Sequence, residues 1–284
     1  MTSGKLSPLL TANNLTSPRS SCRSTPRTAT PRSRYSRQII IGAGRGSRLN
    51  ALTDHQPKCY APIGGRRILD WLLDSLSDAE LDHPVFIGGY QIEMIQNDYP
   101  GLTYCHNDNW PNNNILASLF YAEDHMADGF VCSYADILYR SSVVRRALEH
   151  PGDIVLCVDT DWRTRYADRS LHPEGDAEKV IAEGDRVVRV HREISSDQAS
   201  GEYIGVAKFS DEGAKWLRAY YAQVKTAFNG NVWREGTVFE KAYLIHLFQA
   251  MIEDGVVFHM VTTDGEYMEI DTEEDYELAN ETWG

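Results

Sequence analysis

No apolar run in this chain approaches the ~20 residues that a helix needs to cross a bilayer, and no apolar segment near its start forms the core of a secretory signal. Cys22, Cys59, Cys105, Cys132 and Cys157 include no C-x-x-C pair and no zinc-ligand spacing, so they read as separate thiols in a reducing cytoplasm. Acidic residues are missing before Asp54, whereas Lys5, Arg19, Arg23, Arg27, Arg32, Arg34 and Arg37 all lie there. With a net charge of −13, the remainder is strongly acidic and repels phosphate chains except at a focused basic pocket. A nucleic-acid partner and a membrane partner are therefore not expected, and the substrate should be small. No Lys-Ser/Thr pair follows Gly46, which excludes a Walker A loop. Ser47 stands where a dinucleotide fingerprint needs its third glycine, which leaves an oxidoreductase reading weak.

Residues 1–36 consist largely of Ser, Thr, Pro and Arg without apolar periodicity, too little to bury a core, and are expected to form a disordered basic tail. The composition also resembles a transit peptide, although prolines interrupt any amphipathic helix, and an over-extended start is an equal alternative. The apolar content of 42% is enough for residues 37–284 to build one full α/β core.

What is present is concentrated between Arg37 and Leu76. Ile39, Ile40 and Ile41 run into Gly42, Gly44 and Gly46, the pattern of a buried strand ending in a loop whose backbone can approach a ligand. Converging N–H groups suit phosphate oxygens, and Arg45 and Arg48 add paired donors. Pro57 holds the chain extended before Lys58, and apolar residues at 68, 69, 72, 73 and 76 give a helix with a buried face.

This segment resembles the signature of the sugar-nucleotide and phosphocholine nucleotidylyltransferase superfamily: a strand, A-G-x-G-x-R, about ten residues, P-K, then an apolar run with glycine. Ala43, Gly44, Gly46, Arg48, Pro57, Lys58 and Gly64 match, while Gly42 replaces the usual alanine. The resemblance spans residues 37–284 and implies a single α/β domain. Its central sheet would be mostly parallel, Rossmann-like and flanked by helices, with an inserted substrate-binding lobe.

Further along, His83–Tyr90 and Leu102–His106 read as strands, and Asn113 and Asn114 precede a helix that either could cap. Phe130–Asp136 is a strand ending in a carboxylate, where parallel sheets bind ligands. Val187–Glu193 and Tyr203–Phe209 suggest an antiparallel addition, and two amphipathic helices are expected from Asp211 and from Phe239 to Glu253. Glu269 and Asp271 share one face of a strand, and Thr272 to Asp275 reads as a capping box.

The segments 159–166, 178–180 and 201–205 are most similar to the phosphocholine and phosphonate cytidylyltransferase branch. The resemblance implies CTP and a small phosphate- or phosphonate-bearing acceptor as partners, with pyrophosphate released. It implies Lys58 and Arg48 as catalytic residues. Nucleotide contacts would come from Ala43, Gly44, Arg45, Gly46, Ser47, Gly89, Tyr90, Asn114 and Ser118, and Mg²⁺ would be held by Asp136 and Asp271 with Glu269 as understudy. For the acceptor, Trp162 and Tyr166 could face a cation, with Glu202 and Glu240 as carboxylates, while Arg163 and Arg165 leave room for an anionic group. A uridylyl- or guanylyltransferase acting on a sugar phosphate, a non-catalytic nucleotide sensor, and a homodimeric assembly stay open.

Overall fold

Ile39, Ile40 and Ile41 are buried in the strand Gln38–Gly42, which pairs in parallel with Val85–Gly88 on one side and Phe130–Tyr134 on the other. The computed structural model describes residues 37–81, 83–167 and 169–283, so the tail expected over 1–36 lies outside the described residues. Alternation along that first strand sends Ile39 and Ile41 into one core and Ile40 into another, so the sheet is covered on both faces. Helices Ile68–Asp78 and Ser141–Glu149 cover the Ile40 face, and Asp211–Phe228 and Leu244–Glu253 cover the opposite one. Among the described residues no helix is long and apolar enough to cross a membrane, and Cys59, Cys105, Cys132 and Cys157 are free thiols.

Across the sheet the strands run Thr103–His106, Val85–Gly88, Gln38–Gly42, Phe130–Tyr134, Gly201–Phe209, Ile154–Asp159, Phe258–Thr263, Arg186–Val190 and Lys179–Glu183. The expected α/β fold is present, with its parallel run gathered on the glycine-loop side. Gly201–Phe209 lies antiparallel to both of its neighbours, as the sequence suggests, and it stands in the middle of the sheet. It does not pair with Arg186–Val190, which instead forms a hairpin with Lys179–Glu183 and lies against Phe258–Thr263. The strand bulges between Tyr203 and Ala207, and Gly205 there has φ of +79°, a left-handed backbone that favours glycine. The residues between Asp159 and Gly201 thus extend the sheet as well as covering its end.

The helix from Asp211 is capped as expected, with Ser210 Oγ accepting the Gly213 N–H at 3.1 Å. The helix expected over 239–253 is instead a short turn, Phe239–Lys241, followed by Leu244–Glu253. Ala242 and Tyr243 are extended between them, and the Ala242 carbonyl accepts from Leu116 N–H, which draws this edge against the neighbouring helix Ile115–Leu119.

Candidate active site

At the carboxyl end of Gln38–Gly42 the chain turns through residues 43–46 into the 3₁₀ turn Ser47–Leu52. Gly46 has φ of +69°, and a Cβ there would stand 2.6 Å from Lys58 Cδ, so the glycine leaves room for the lysine stem beneath the loop. Pro57 is extended, with its ring fixing φ at −66°, and Lys58 opens the next 3₁₀ turn. Its side chain is 8% exposed. The ammonium donates to Asp136 Oδ2 at 2.7 Å and also to Asp271 Oδ1. Burial works against that charge, but Asp136, Asp271 and Glu269 outweigh it and hold the Lys58 ammonium above its ordinary range.

The two aspartates come from distant parts of the chain, and a short ladder joins them. Ile137–Tyr139 pairs antiparallel with Tyr267–Glu269, setting Glu269 opposite Ile137, and Ile270 N–H donates to the Asp136 carbonyl at 3.0 Å. Arg48 donates to Asp271 Oδ2 and lies 3.7 Å from Asp176. Burial would raise the Asp271 carboxyl, yet Lys58 and Arg48 keep it below the usual carboxylate range. Glu269 moves the other way: burial first, then the charges of Asp271, Asp136 and Glu202, push it well above that range. Three carboxylates thus crowd around one buried ammonium, a surplus of hard oxygen donors that fits a small divalent cation.

Behind this cluster, the capping box at Thr272 is formed, with Thr272 Oγ1 accepting the Asp275 N–H at 3.2 Å. Asp275 Oδ2 accepts the N–H groups of Asp271 at 2.9 Å and Thr272 at 2.8 Å. Burial opposes ionisation of Asp275, but His172, Arg169 and these backbone bonds hold its carboxyl below the usual range.

A cavity of about 340 Å³ opens above the loop. Ala43, Gly44, Gly46, Ser47, Arg48, Asn114 and Ser118 line it together with Lys58, Asp136 and Asp271. Asn114 caps its helix, its side-chain oxygen accepting from Ile115 N–H at 2.8 Å, while also facing the cavity, so capping and lining coexist. Ser118 and Asn113 are held by buried Asn107, whose Nδ2 donates to them at 2.8 and 2.9 Å. Gly89, Tyr90 and Arg45 stand outside the lining. Tyr90 N–H donates to the Ala43 carbonyl at 3.0 Å, and a Cβ on Gly89 would meet that carbonyl at 2.7 Å, so this pair buttresses the loop. Arg45 turns outward to Asp54 at 2.8 Å.

A second cavity of about 250 Å³ shares Arg48, Tyr134, Glu178, Arg192, Tyr243, Glu269 and Asp271 with the first. Its further wall includes Tyr203, Tyr267, Glu202 and His172. Glu202 is 3% exposed, and the Tyr166 hydroxyl donates to its Oε1 at 2.6 Å from behind. Burial raises the Glu202 and Glu178 carboxyls alike. Arg192 reaches Glu178 at 3.3 Å and lies 4.0 Å over the Tyr243 ring.

Two acceptor expectations are corrected here. Trp162 lines neither cavity: it is 2% exposed and packs with Tyr166 and Ala177, because the helix Trp162–Ala167 turns its aromatic face inward. Glu240 lies elsewhere, its carboxylate accepting the Gly230 N–H at 2.7 Å, because the turn at 239–241 directs it away from the sheet. Tyr166 lines neither cavity and stands behind Glu202, Arg165 pairs with Asp159, and Arg163 stands 3.9 Å from Glu174. The sequence reading missed Trp110, Tyr134, Glu178, Arg192 and Tyr243 as lining residues. Tyr134 had a signal, standing two residues before Asp136, as did Glu178 in the segment 178–180 and Trp110 just before the asparagines, whereas Arg192 and Tyr243 sit on segments without a local motif.

The fold has counterparts in known proteins. The family model for the MobA-like NTP transferase domain matches residues 38–200. The CTP:phosphoglutamine cytidylyltransferase of Campylobacter jejuni is 27% identical over 253 residues, covering 86% of this chain and 98% of that relative. Among solved structures, the inositol-1-phosphate CTP transferase from T. maritima superposes with a TM-score of 0.66 at 21% identity, covering 87% of this chain and 96% of that one. The CTP:phosphocholine cytidylyltransferase of Streptococcus pneumoniae gives a TM-score of 0.66 at 18% identity, covering 88% and 100%. At such identities the structural likeness speaks for the fold.

Proposed function

The chain belongs to the MobA-like NTP transferase family, and from that membership we propose that it transfers CMP from CTP to a small acceptor bearing a phosphate or phosphonate and an amine. The observation that carries this reading is the pair of cavities meeting at Arg48, Asp271 and Glu269, one walled by the glycine loop and Lys58 and the other by carboxylates and tyrosines. Two substrates placed there would meet end to end. An acceptor oxygen attacks the α-phosphorus of CTP, forming the new P–O bond as the bond to pyrophosphate breaks, so no covalent enzyme intermediate is required. The work left to the protein is positioning and neutralisation of charge.

In this reading Lys58 stabilises charge on the α-phosphoryl group, and Arg48 with the loop amides receives the departing pyrophosphate. Asp136 and Asp271 would hold Mg²⁺, which when bound supplies Lewis-acid polarisation of the phosphoryl oxygens. The rings of Tyr203 and Tyr267 with Glu202 suit an ammonium, taking the role first expected of Trp162 and Glu240. Similarity to a relative named for phosphoglutamine agrees with an acceptor more elaborate than a bare sugar phosphate.

Pyrophosphate release measured with four nucleoside triphosphates against phosphocholine, aminoethylphosphonate, an amino-acid phosphate and hexose 1-phosphates tests the proposal. CTP with an amine-bearing acceptor should turn over fastest. Preference for UTP or GTP with a hexose phosphate overturns it, and tight CTP binding without turnover on any acceptor points to a sensor.

A further inference from the structure

His172 plays no part in the reaction just described, yet it is built into the wall of the second cavity. It is 2% exposed, and it lines the second cavity beside Glu269 and Asp271. Its loop is pinned to the start of the helix Glu273–Thr282: Ser170 and Leu171 N–H groups donate to Glu274 Oε2 at 2.7 and 2.8 Å, and Arg169 meets Asp275 at 3.1 Å. The Tyr166 ring packs edge-on against the imidazole, 5.3 Å between centroids. The ring therefore has a fixed place and a fixed orientation.

Its two nitrogens have different partners. Nδ1 lies 3.1 Å from Asp275 Oδ2, a fully buried carboxylate oxygen that already accepts two backbone N–H groups. An acceptor of that kind assigns the proton to Nδ1. Nε2 is then left with a lone pair, and it lies 3.6 Å from Glu269 Oε2, beyond hydrogen-bond length. Donor atoms of His172, Glu269 and Asp271 all fall within 4.8 Å of one another. A carboxylate holding Nδ1–H while Nε2 points at two further carboxylates is how proteins orient a histidine toward a metal ion.

Another cluster, His150, Asp185 and His259, also has its donor atoms within 4.8 Å of one another but a different proton arrangement. There Gly152 N–H donates to His150 Nδ1 at 3.0 Å, so the proton sits on Nε2, which faces Asp185 at 3.0 Å as a hydrogen-bond donor. That ring has no lone pair to offer its cluster. His172 has one.

We propose that His172 Nε2, Glu269 and Asp271 form a binding site for a divalent transition-metal ion, set on the acceptor side of Lys58 and distinguished from the all-oxygen pair Asp136 and Asp271 by its nitrogen donor. Imidazole nitrogen favours such ions over Mg²⁺. Each Asp271 oxygen keeps a second lone pair after accepting from Lys58 or Arg48, so the carboxylate serves both sites. An ion there faces the cavity into which the acceptor's phosphoryl or phosphonyl group would enter. The site stands whatever the nucleotide, since metal binding is read without one.

The probe is Mn²⁺ added to the full chain, followed by electron spin echo spectroscopy. Bound Mn²⁺ should show a directly coordinated nitrogen whose coupling changes when the histidines carry nitrogen-15. His172→Gln should abolish that coupling and weaken Mn²⁺ at this site by roughly ten-fold or more, while His259→Gln leaves both intact. Absence of nitrogen coupling in the labelled wild type overturns the proposal, as does a coupling that survives His172→Gln or disappears in His259→Gln. If His172→Gln fails to fold, the labelled wild type and His259→Gln decide the matter between them.

Discussion

Lys58 holds two carboxylates that otherwise repel each other, so its removal acts on charge and on substrate together. Lys58→Ala should lower kcat/KM for pyrophosphate release by about 10²–10³, with an unchanged circular dichroism spectrum; turnover within ten-fold of wild type would remove Lys58 from the mechanism. Glu202 and Trp162 make a contrasting pair. Glu202→Gln keeps the shape of the second cavity but not its charge, and should raise KM for an amine-bearing acceptor while leaving KM for CTP nearly constant. Trp162→Ala empties a buried site and should cost about 3–5 kcal/mol in urea unfolding, with acceptor KM little altered. The sequence gives no means of separating these two residues, because an aromatic side chain on a short helix after a strand looks the same whether it faces a ligand or a core. Lys58 and Asp136 are legible because a stiff or strand-ending segment delivers each charge to the end of the sheet, and Asp271 through the resemblance of its segment to the superfamily's.

Among the elements, Gly201–Phe209 bears most directly on both substrates. A Cβ on Gly205 would stand 2.5 Å from the Tyr134 ring, and Tyr134 lines both cavities. Gly205→Ala should therefore destabilise the protein by about 1–3 kcal/mol and raise both KM values; an unchanged melting temperature would contradict the bulge as described. Near the other end of this strand Lys208 is buried, its ammonium donating to the carbonyls of His150 at 2.8 Å and Gly152 at 2.5 Å. Burial lowers its pKa to about 8, below the 10.5 of an exposed lysine. The unfolded chain then binds more protons than the folded one between those values, so stability contributed at this site rises with pH across that window. The unfolding free energy of wild type minus that of Lys208→Met should accordingly increase between pH 8 and 10.5; a flat or falling difference would be inconsistent with this account. The strand itself was legible as a strand, and the helix after it as a helix with its Ser210 cap. Its place in the sheet was not, since pairing with Phe130–Tyr134 and Ile154–Asp159 is decided by contacts far apart in the chain.

On the scale of the whole molecule, the sheet and every residue assigned to the site lie at Arg37 or beyond. Removing residues 1–36 should leave both melting temperature and kcat unchanged, and a fall of several degrees would show that the tail docks on the domain. The glycine loop, Lys58 and Asp136 all come from residues 43–136, whereas Asp271 arrives through the ladder between Ile137–Tyr139 and Tyr267–Glu269. That ladder has a consequence for biosynthesis. A nascent chain leaving the ribosome exposes its glycine loop and Lys58 long before residues 267–271 are translated, and until they dock, Lys58 lacks one of its two carboxylates and Asp136 has no companion. The catalytic centre therefore cannot assemble before residues 267–271 have been translated and have docked on Ile137–Tyr139.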